Sequence, residues 1–164
     1  MLVTRKAEYA VSALVDLALY GNGGRRVPSR DIARRQGIPE NLVVQLLGPM
    51  RRAGWVEASR GRRGGVTLIR DPASITVRDV LEMFEGPLGV TRCLVSEGVC
   101  ENQPHCPLRG VWARAQARLL EVLEGTTIAD LARARRSMDE SAGRSQDGAF
   151  EAAPACRRVR GRGE

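Results

Sequence analysis

Residues 28–69 read Pro28-Ser29-Arg30-Asp-Ile-Ala-Arg-Arg-Gln-Gly37-Ile38-Pro39-Glu40-Asn41-Leu-Val-Val44-Gln45-Leu-Leu-Gly48-Pro49-Met50-Arg51-Arg-Ala-Gly54-Trp55-Val-Glu-Ala-Ser59-Arg60-Gly-Arg62-Arg63-Gly64-Gly65-Val66-Thr-Leu-Ile69. A short helix starts after Pro28, with Ser29 as the expected N-cap, and ends at Gly37. Pro39 and Glu40 open a second helix carrying Leu42, Leu46, Leu47 and Met50 on one face, which stops at Gly54. Two helices joined across Gly37-Ile38 form a helix-turn-helix candidate. The Gly48-Pro49 pair inside the second helix predicts a kink, or an early end with a new turn from Met50, because proline removes a backbone bond at a cost of about 3 kcal/mol. The exposed N-terminal half, with Asn41, Val44 and Gln45, is unaffected by either outcome. From Trp55 the pattern changes to two short strands, Trp55–Ser59 and Val66–Ile69, around a glycine-rich hairpin that carries Arg60, Arg62 and Arg63. A basic hairpin directly after a helix-turn-helix reads as the wing of a winged helix, suited to phosphate or minor-groove contact rather than being only a solvated charged turn. Ser29, Asn41, Gln45, Arg51, Arg60, Arg62 and Arg63 are therefore the candidate DNA-contacting residues.

Charge supports that placement. Residues 1–80 hold 14 Lys+Arg against 7 Asp+Glu, whereas residues 81–164 hold 12 of each, so the whole net charge of +7 belongs to the first half. All but one of the 26 basic residues are arginine, whose guanidinium suits bidentate phosphate and guanine contacts. Upstream, residues 4–20 carry Ala7, Ala10, Val11, Leu14, Leu17 and Ala18 at helical spacing, closed by Gly21-Asn-Gly-Gly, with Arg5, Lys6, Glu8 and Asp16 assigned to the polar face. Downstream, Thr76-Val-Arg-Asp79 starts a helix through Val80, Leu81 and Phe84, ended by Gly86-Pro87.

Three of the four cysteines fall within 14 residues, in Cys93-Leu-Val-Ser-Glu-Gly-Val-Cys100-Glu-Asn-Gln-Pro-His105-Cys106. The segment has no helical or strand period, and it lies between two helices. Its C-x6-C-x5-C spacing is too wide for the paired CxxC hairpins of a structural zinc site, yet compact enough for three sulfurs to converge on a cluster edge. Three readings stand side by side: incidental thiols or one disulfide, zinc held by the three cysteines with His105, and an iron-sulfur cluster whose fourth ligand lies elsewhere. The last fits best, since neighbouring His105 and Cys106 rarely point at one ion.

After Cys106 the segment from Leu108 carries Leu108, Val111, Trp112, Ala115, Leu119, Val122 and Leu123, a stripe too long for one small domain to cover. It predicts a partner helix in a second subunit. Thr127-Ile-Ala-Asp130 caps a last short helix reaching about Met138, and from Asp139 onward the composition predicts a disordered tail, in which Cys156 reads as incidental. With no apolar run of 18 residues and no signal-peptide pattern at the N-terminus, the chain is expected in the cytoplasm and away from membranes. A single histidine, no phosphate-cradling glycine loop and no Ser/His/Asp set argue against an enzyme.

The opening Thr4-Arg-Lys-Ala-Glu-Tyr9-Ala10, the segment Ala53-Gly54-Trp-Val-Glu-Ala-Ser-Arg60-Gly61 with Gly64-Gly65, and the cysteine loop running into Cys106-Pro-Leu-Arg-Gly-Val resemble the iron-sulfur winged-helix regulators of the IscR, NsrR and RirA kind over roughly residues 1–136. The resemblance implies a homodimeric DNA-binding regulator whose loop cysteines Cys93, Cys100 and Cys106 hold a 4Fe-4S or 2Fe-2S cluster. In the IscR type a histidine three residues after the last cysteine completes the site, but Arg109 stands there. The NsrR type places a carboxylate in the first helix, donated across the dimer, and Glu8 occupies that position, with His105 as the runner-up. Val44 occupies a place where IscR has an acidic base-reading residue, so the target sequence does not transfer.

The expectation is thus a mainly α chain with a small β wing: a winged helix-turn-helix domain at 1–86, a cluster-binding loop at 87–107, a dimerisation helix and a final short helix at 108–138, and a tail at 139–164. Its expected function is regulation of transcription, as a repressor on a palindromic double-stranded DNA operator, with affinity set by nitric oxide, redox state or iron supply through the cluster. The alternative is a cluster-free regulator that senses oxidants through its thiols.

Overall fold

The computed structural model describes residues 3–21, 24–59, 61, 64–96, 98 and 100–144. Helix α1 spans Arg5–Tyr20, with Thr4 as N-cap accepting from the Ala7 N–H. Ala10, Ala13, Leu14 and Leu17 on its inner face are fully buried, and the remaining elements pack around this stripe. Helix α2 spans Ser29–Gln36, and Gly37 closes it in the left-handed conformation at φ 62°. There Ser29 is the first helical residue rather than the cap; Pro28 holds the cap position and no side chain caps the end. A proline with its fixed φ suits that entry, which leaves the Ser29 hydroxyl free of a capping role.

Helix α3 runs unbroken from Glu40 to Arg52 with Pro49 inside it, so the helix does not end early. Val43, Leu46, Leu47 and Met50 are buried in the main core, and this burial of apolar side chains at about 1.5–3 kcal/mol each outweighs the one backbone bond that Pro49 removes. Strands β1 (Val56–Ser59) and β2 (Gly65–Leu68) pair antiparallel, Val56 opposite Leu68 and Ser59 opposite Gly65; β1 starts one residue later than its sequence pattern implies, and β2 is shifted one residue towards the turn. Val27, in the α1–α2 connection, adds a two-bond bridge to Val66, both N–H to O distances being 2.8 Å. Gly65 permits this: a Cβ there would sit 3.0 Å from the Val27 carbonyl. The wing is therefore tied to the helical body at its base.

Helix α4 (Val77–Glu85) begins with a complete Thr76/Asp79 capping box and ends at Gly86. Three residues each of 3-10 helix, Arg92–Leu94 and Gln103–His105, interrupt the cysteine segment before α5 (Pro107–Glu124). The last helix, α6, spans Ile128–Arg144. It is not short, as its sequence suggests, and residues 139–144 belong to it. A bridge between Thr76 and Thr127 joins the starts of α4 and α6, with Ile128 N–H donating to the Ile75 carbonyl at 2.9 Å. Ile128 is fully buried against the α1 core, so α6 folds back on its own domain. The disordered-tail expectation otherwise concerns residues 145–164, and the role of Cys156 with it, outside the described residues.

No described helix is long and apolar enough to cross a membrane. Helix α5 differs from the others in that none of its residues is buried. Leu120 and Leu123 pack on Ala7, Leu81 and Leu88. By contrast Leu108, Val111, Trp112 and Val122 are 55%, 46%, 37% and 64% exposed.

Candidate nucleic-acid interface and cysteine loop

Helix α3 presents Asn41, Val44, Gln45, Arg51 and Arg52 to solvent, with half-buried Gly48 among them. At 100° per residue these positions fall within about one third of the helix circumference, opposite the buried Val43, Leu46, Leu47 and Met50. An open groove of about 740 Å³ lies between this face, the first turn of α2 and the wing. Ser29 and Arg51 line it, as do three residues that the sequence reading did not select for DNA contact: Arg30, Glu40 and Val44. Asn41 and Gln45 are exposed on the same helix without lining the groove. Arg60, Arg62 and Arg63 lie outside the described residues. Around them, the Gly64 N–H donates to the Gly61 carbonyl at 2.8 Å, and Gly61 has φ 107°, so the hairpin glycines supply the turn that the sequence predicts.

Among the described residues several arginines are paired with carboxylates: Arg5 with Glu8, Arg34 with Asp31, Arg35 with Asp16, Arg78 with Glu82 and Glu124, Arg118 with Glu121, Arg133 with Asp130 and Arg135 with Asp139. Exposed arginines without an ion pair among the described residues include Arg30 and Arg51 in the groove, and Arg25, Arg52, Arg70, Arg92, Arg109, Arg114 and Arg136 outside it. Arg26 donates to the Ser59 hydroxyl at 2.7 Å, bracing the wing. Arg30 and Arg51, which have no carboxylate partner, keep their guanidiniums available to phosphates at the groove.

Asp16, assigned to a polar helix face by its spacing, is fully buried. Arg35 on α2 grips it with two bonds, Nε to Oδ1 at 2.8 Å and Nη2 to Oδ2 at 2.6 Å, and Gln36 Nε2 donates to Oδ1 at 3.0 Å. The hydrogen bond to Asp16 raises the Arg35 pKa, and the guanidinium also lies over the Tyr20 ring at 4.2 Å. This network locks α2 against α1, and so orients the helix-turn-helix.

In the cysteine segment Cys93 and Cys106 are half-buried and Cys100 is exposed; all three are free thiols. The Thr91 hydroxyl lies 3.1 Å from the Cys93 sulfur, and Gln103 Nε2 donates to the Cys93 carbonyl at 3.2 Å. The Val90 N–H donates to Gln116 Oε1 on α5 at 3.2 Å, fastening the entry of the segment to that helix. Among the described residues no three His, Cys, Asp or Glu side chains are brought together as a metal site. His105 is exposed, and Glu8 is exposed on α1 beside Arg5 at 3.9 Å. The donor chemistry suits iron, with three soft thiol ligands on one short segment, but one protomer does not assemble them.

A helix-turn-helix packed on a buried core, with a braced hairpin and a groove that carries Arg30 and Arg51, defines a winged-helix DNA-binding protein. A family model described as "Rrf2: Iron-dependent Transcriptional regulator" matches residues 3–134. The chain belongs to the Rrf2 family of transcriptional regulators. It is 39% identical over 132 residues to a Mycobacterium tuberculosis protein assigned to the HTH-type transcriptional regulators, covering 80% of this chain and 81% of that one. With the Escherichia coli HTH-type transcriptional regulator IscR it shares 34% identity over 141 residues, 86% of each chain. Among solved structures it is similar to CymR, the global cysteine regulator of B. subtilis, with TM-score 0.68 and 29% identity over 81% of this chain and 97% of that one. T. potens IscR superposes with TM-score 0.62 and 31% identity over 92% and 94% of the two chains. The family and these relatives are regulators of transcription, not enzymes.

Proposed function

We propose that the chain is a homodimeric repressor of palindromic operators, responding to nitric oxide, redox state or iron supply through an iron-sulfur cluster held by Cys93, Cys100 and Cys106. The observation that carries this is the cysteine segment: three free thiols within 14 residues, fastened through Gln116 to α5, much of whose apolar face is uncovered. A cluster bound there would supply iron that reacts with small oxidants and nitric oxide. Glu8 of the partner subunit is the proposed fourth ligand, because Arg109 stands where the IscR type has its histidine and Glu8 matches the first-helix carboxylate of the NsrR type. On the DNA side, Ser29, Asn41, Gln45 and Arg51 are proposed to contact the operator from α2 and α3, and Arg60, Arg62 and Arg63 from the wing.

The test is the visible spectrum of anaerobically purified protein with iron and sulfide counts. Brown protein with sulfide is expected, and Cys93→Ala, Cys100→Ala and Cys106→Ala are each expected to lose it while Cys156→Ala does not. Glu8→Ala is expected to leave folding intact and make the cluster labile, whereas Glu8→Cys slows its reaction with nitric oxide. If Glu8 variants behave as the original and His105→Ala does not, the fourth-ligand role passes to His105.

A second reading is supported by the likeness to CymR structures, one of them of an oxidized form. In it the cysteines sense oxidants directly as thiols. Colourless protein whose DNA binding changes reversibly with peroxide and dithiothreitol would establish that reading instead.

A further inference from the structure

Glu40 is the one acidic side chain among the described residues that line the groove between α3 and the wing. Its neighbours there include Arg30 and Arg51, yet among the described residues it forms no ion pair. A carboxylate facing a polyanion is repelled by the phosphates, so in a DNA-binding groove it lowers affinity for every sequence alike. In the complex that penalty is offset where the carboxylate meets a hydrogen-bond donor of a base. Glu40 is also the first residue of α3, the end of a recognition helix from which side chains reach base edges in the major groove.

An ionised carboxylate only accepts hydrogen bonds. In the major groove the available donors are the cytosine N4 and adenine N6 amino groups, and adenine sets its N7 acceptor beside N6, where it repels a second carboxylate oxygen. Guanine and thymine present acceptors or a methyl group. We propose that Glu40 is a specificity-determining residue that reads one cytosine in each operator half-site and rejects the other bases by charge repulsion. This rests on the DNA-binding reading of the groove and is independent of the cluster.

The same position allows a bland role, in which a negative charge in the first turn of α3 favours the helix macrodipole. A purely structural role would move thermal stability and leave base preference unchanged. The experiment is selection from a random double-stranded DNA library with the full chain, comparing the original protein with Glu40→Gln and Glu40→Ala, with melting temperatures measured alongside. The original is expected to enrich a two-fold symmetric motif with a cytosine column in each half. Glu40→Gln should reduce cytosine discrimination in that column by about tenfold or more and gain adenine, which a carboxamide reads through N6 and N7. Glu40→Ala should lose cytosine without gaining adenine, and both variants should bind random-sequence DNA more tightly. Identical motifs for all three proteins would overturn the inference alone. An original protein that enriches no motif would overturn the DNA-binding reading together with it.

Discussion

Asp16 shows how a single residue can hold one helix against another. A carboxylate removed from water costs several kcal/mol unless paired, and here the compensation comes from one bidentate guanidinium and one amide on α2. The partners are unequal, because Asp16 is fully buried whereas the Arg35 side chain retains about a quarter of its exposure. Arg35→Met should therefore strand a buried charge and cost about 3 kcal/mol in urea unfolding. Asp16→Asn keeps an acceptor for Arg35, which reaches water, and should cost clearly less. Equal losses for the two variants would mean that packing, not the buried charge, sets the energy of this contact.

At the scale of elements, α4 and α6 start in the same way, each with a Thr-x-x-Asp box and a shared bridge between Thr76 and Thr127. In α6 the Thr127 side-chain and backbone donors hold the Asp130 carboxyl below the usual carboxylate range, with Arg133 adding to it. A carboxyl depressed in the folded state stabilises it at pH values above its unfolded value, and that contribution is lost as the pH falls through the folded value. Asp130→Asn should thus melt earlier than the original at neutral pH, with the gap closing only on the acid side of the ordinary carboxylate range. A gap constant down to the most acid conditions would exclude charge as its source. The α3 helix makes a related point, since Gly48-Pro49 marks a break in sequence terms but the buried residues Leu46, Leu47 and Met50 hold the helix together through it.

For the whole molecule two surfaces matter. On α5, Leu108, Trp112, Ala115, Leu119 and Val122 follow the alternating spacing of four and three that forms a coiled-coil seam, and their side of the helix is largely uncovered. Trp112→Glu with Val122→Glu should give a monomer in sedimentation with an unchanged helical spectrum, and should weaken binding to a two-half-site operator far more than to a single half-site. A double variant that still sediments as a dimer would move the subunit contact elsewhere. On the opposite function, changing Arg60, Arg62 and Arg63 together to Gln should weaken binding to all sequences and flatten the log-log salt dependence by about one unit per lost phosphate contact. An unchanged slope would remove the wing from the interface.

The amino-acid sequence by itself determined the order of elements, the two capping boxes, the turn glycines, the wing and the three-thiol segment, because caps, turns and helical periods are short-range properties of neighbouring residues. Only the tertiary structure decided that Asp16 is interior, since its burial depends on Arg35 and Gln36 closing over it from another helix. The same holds for Glu40, a plain helix-start acid until the wing and α2 enclose it in one groove. It holds too for α5 and α6, both amphipathic in sequence: α6 finds the α1 core in its own chain, while α5 keeps much of its apolar face in solvent. A helical period shows that a face is apolar, but which surface covers it is set by how distant segments meet.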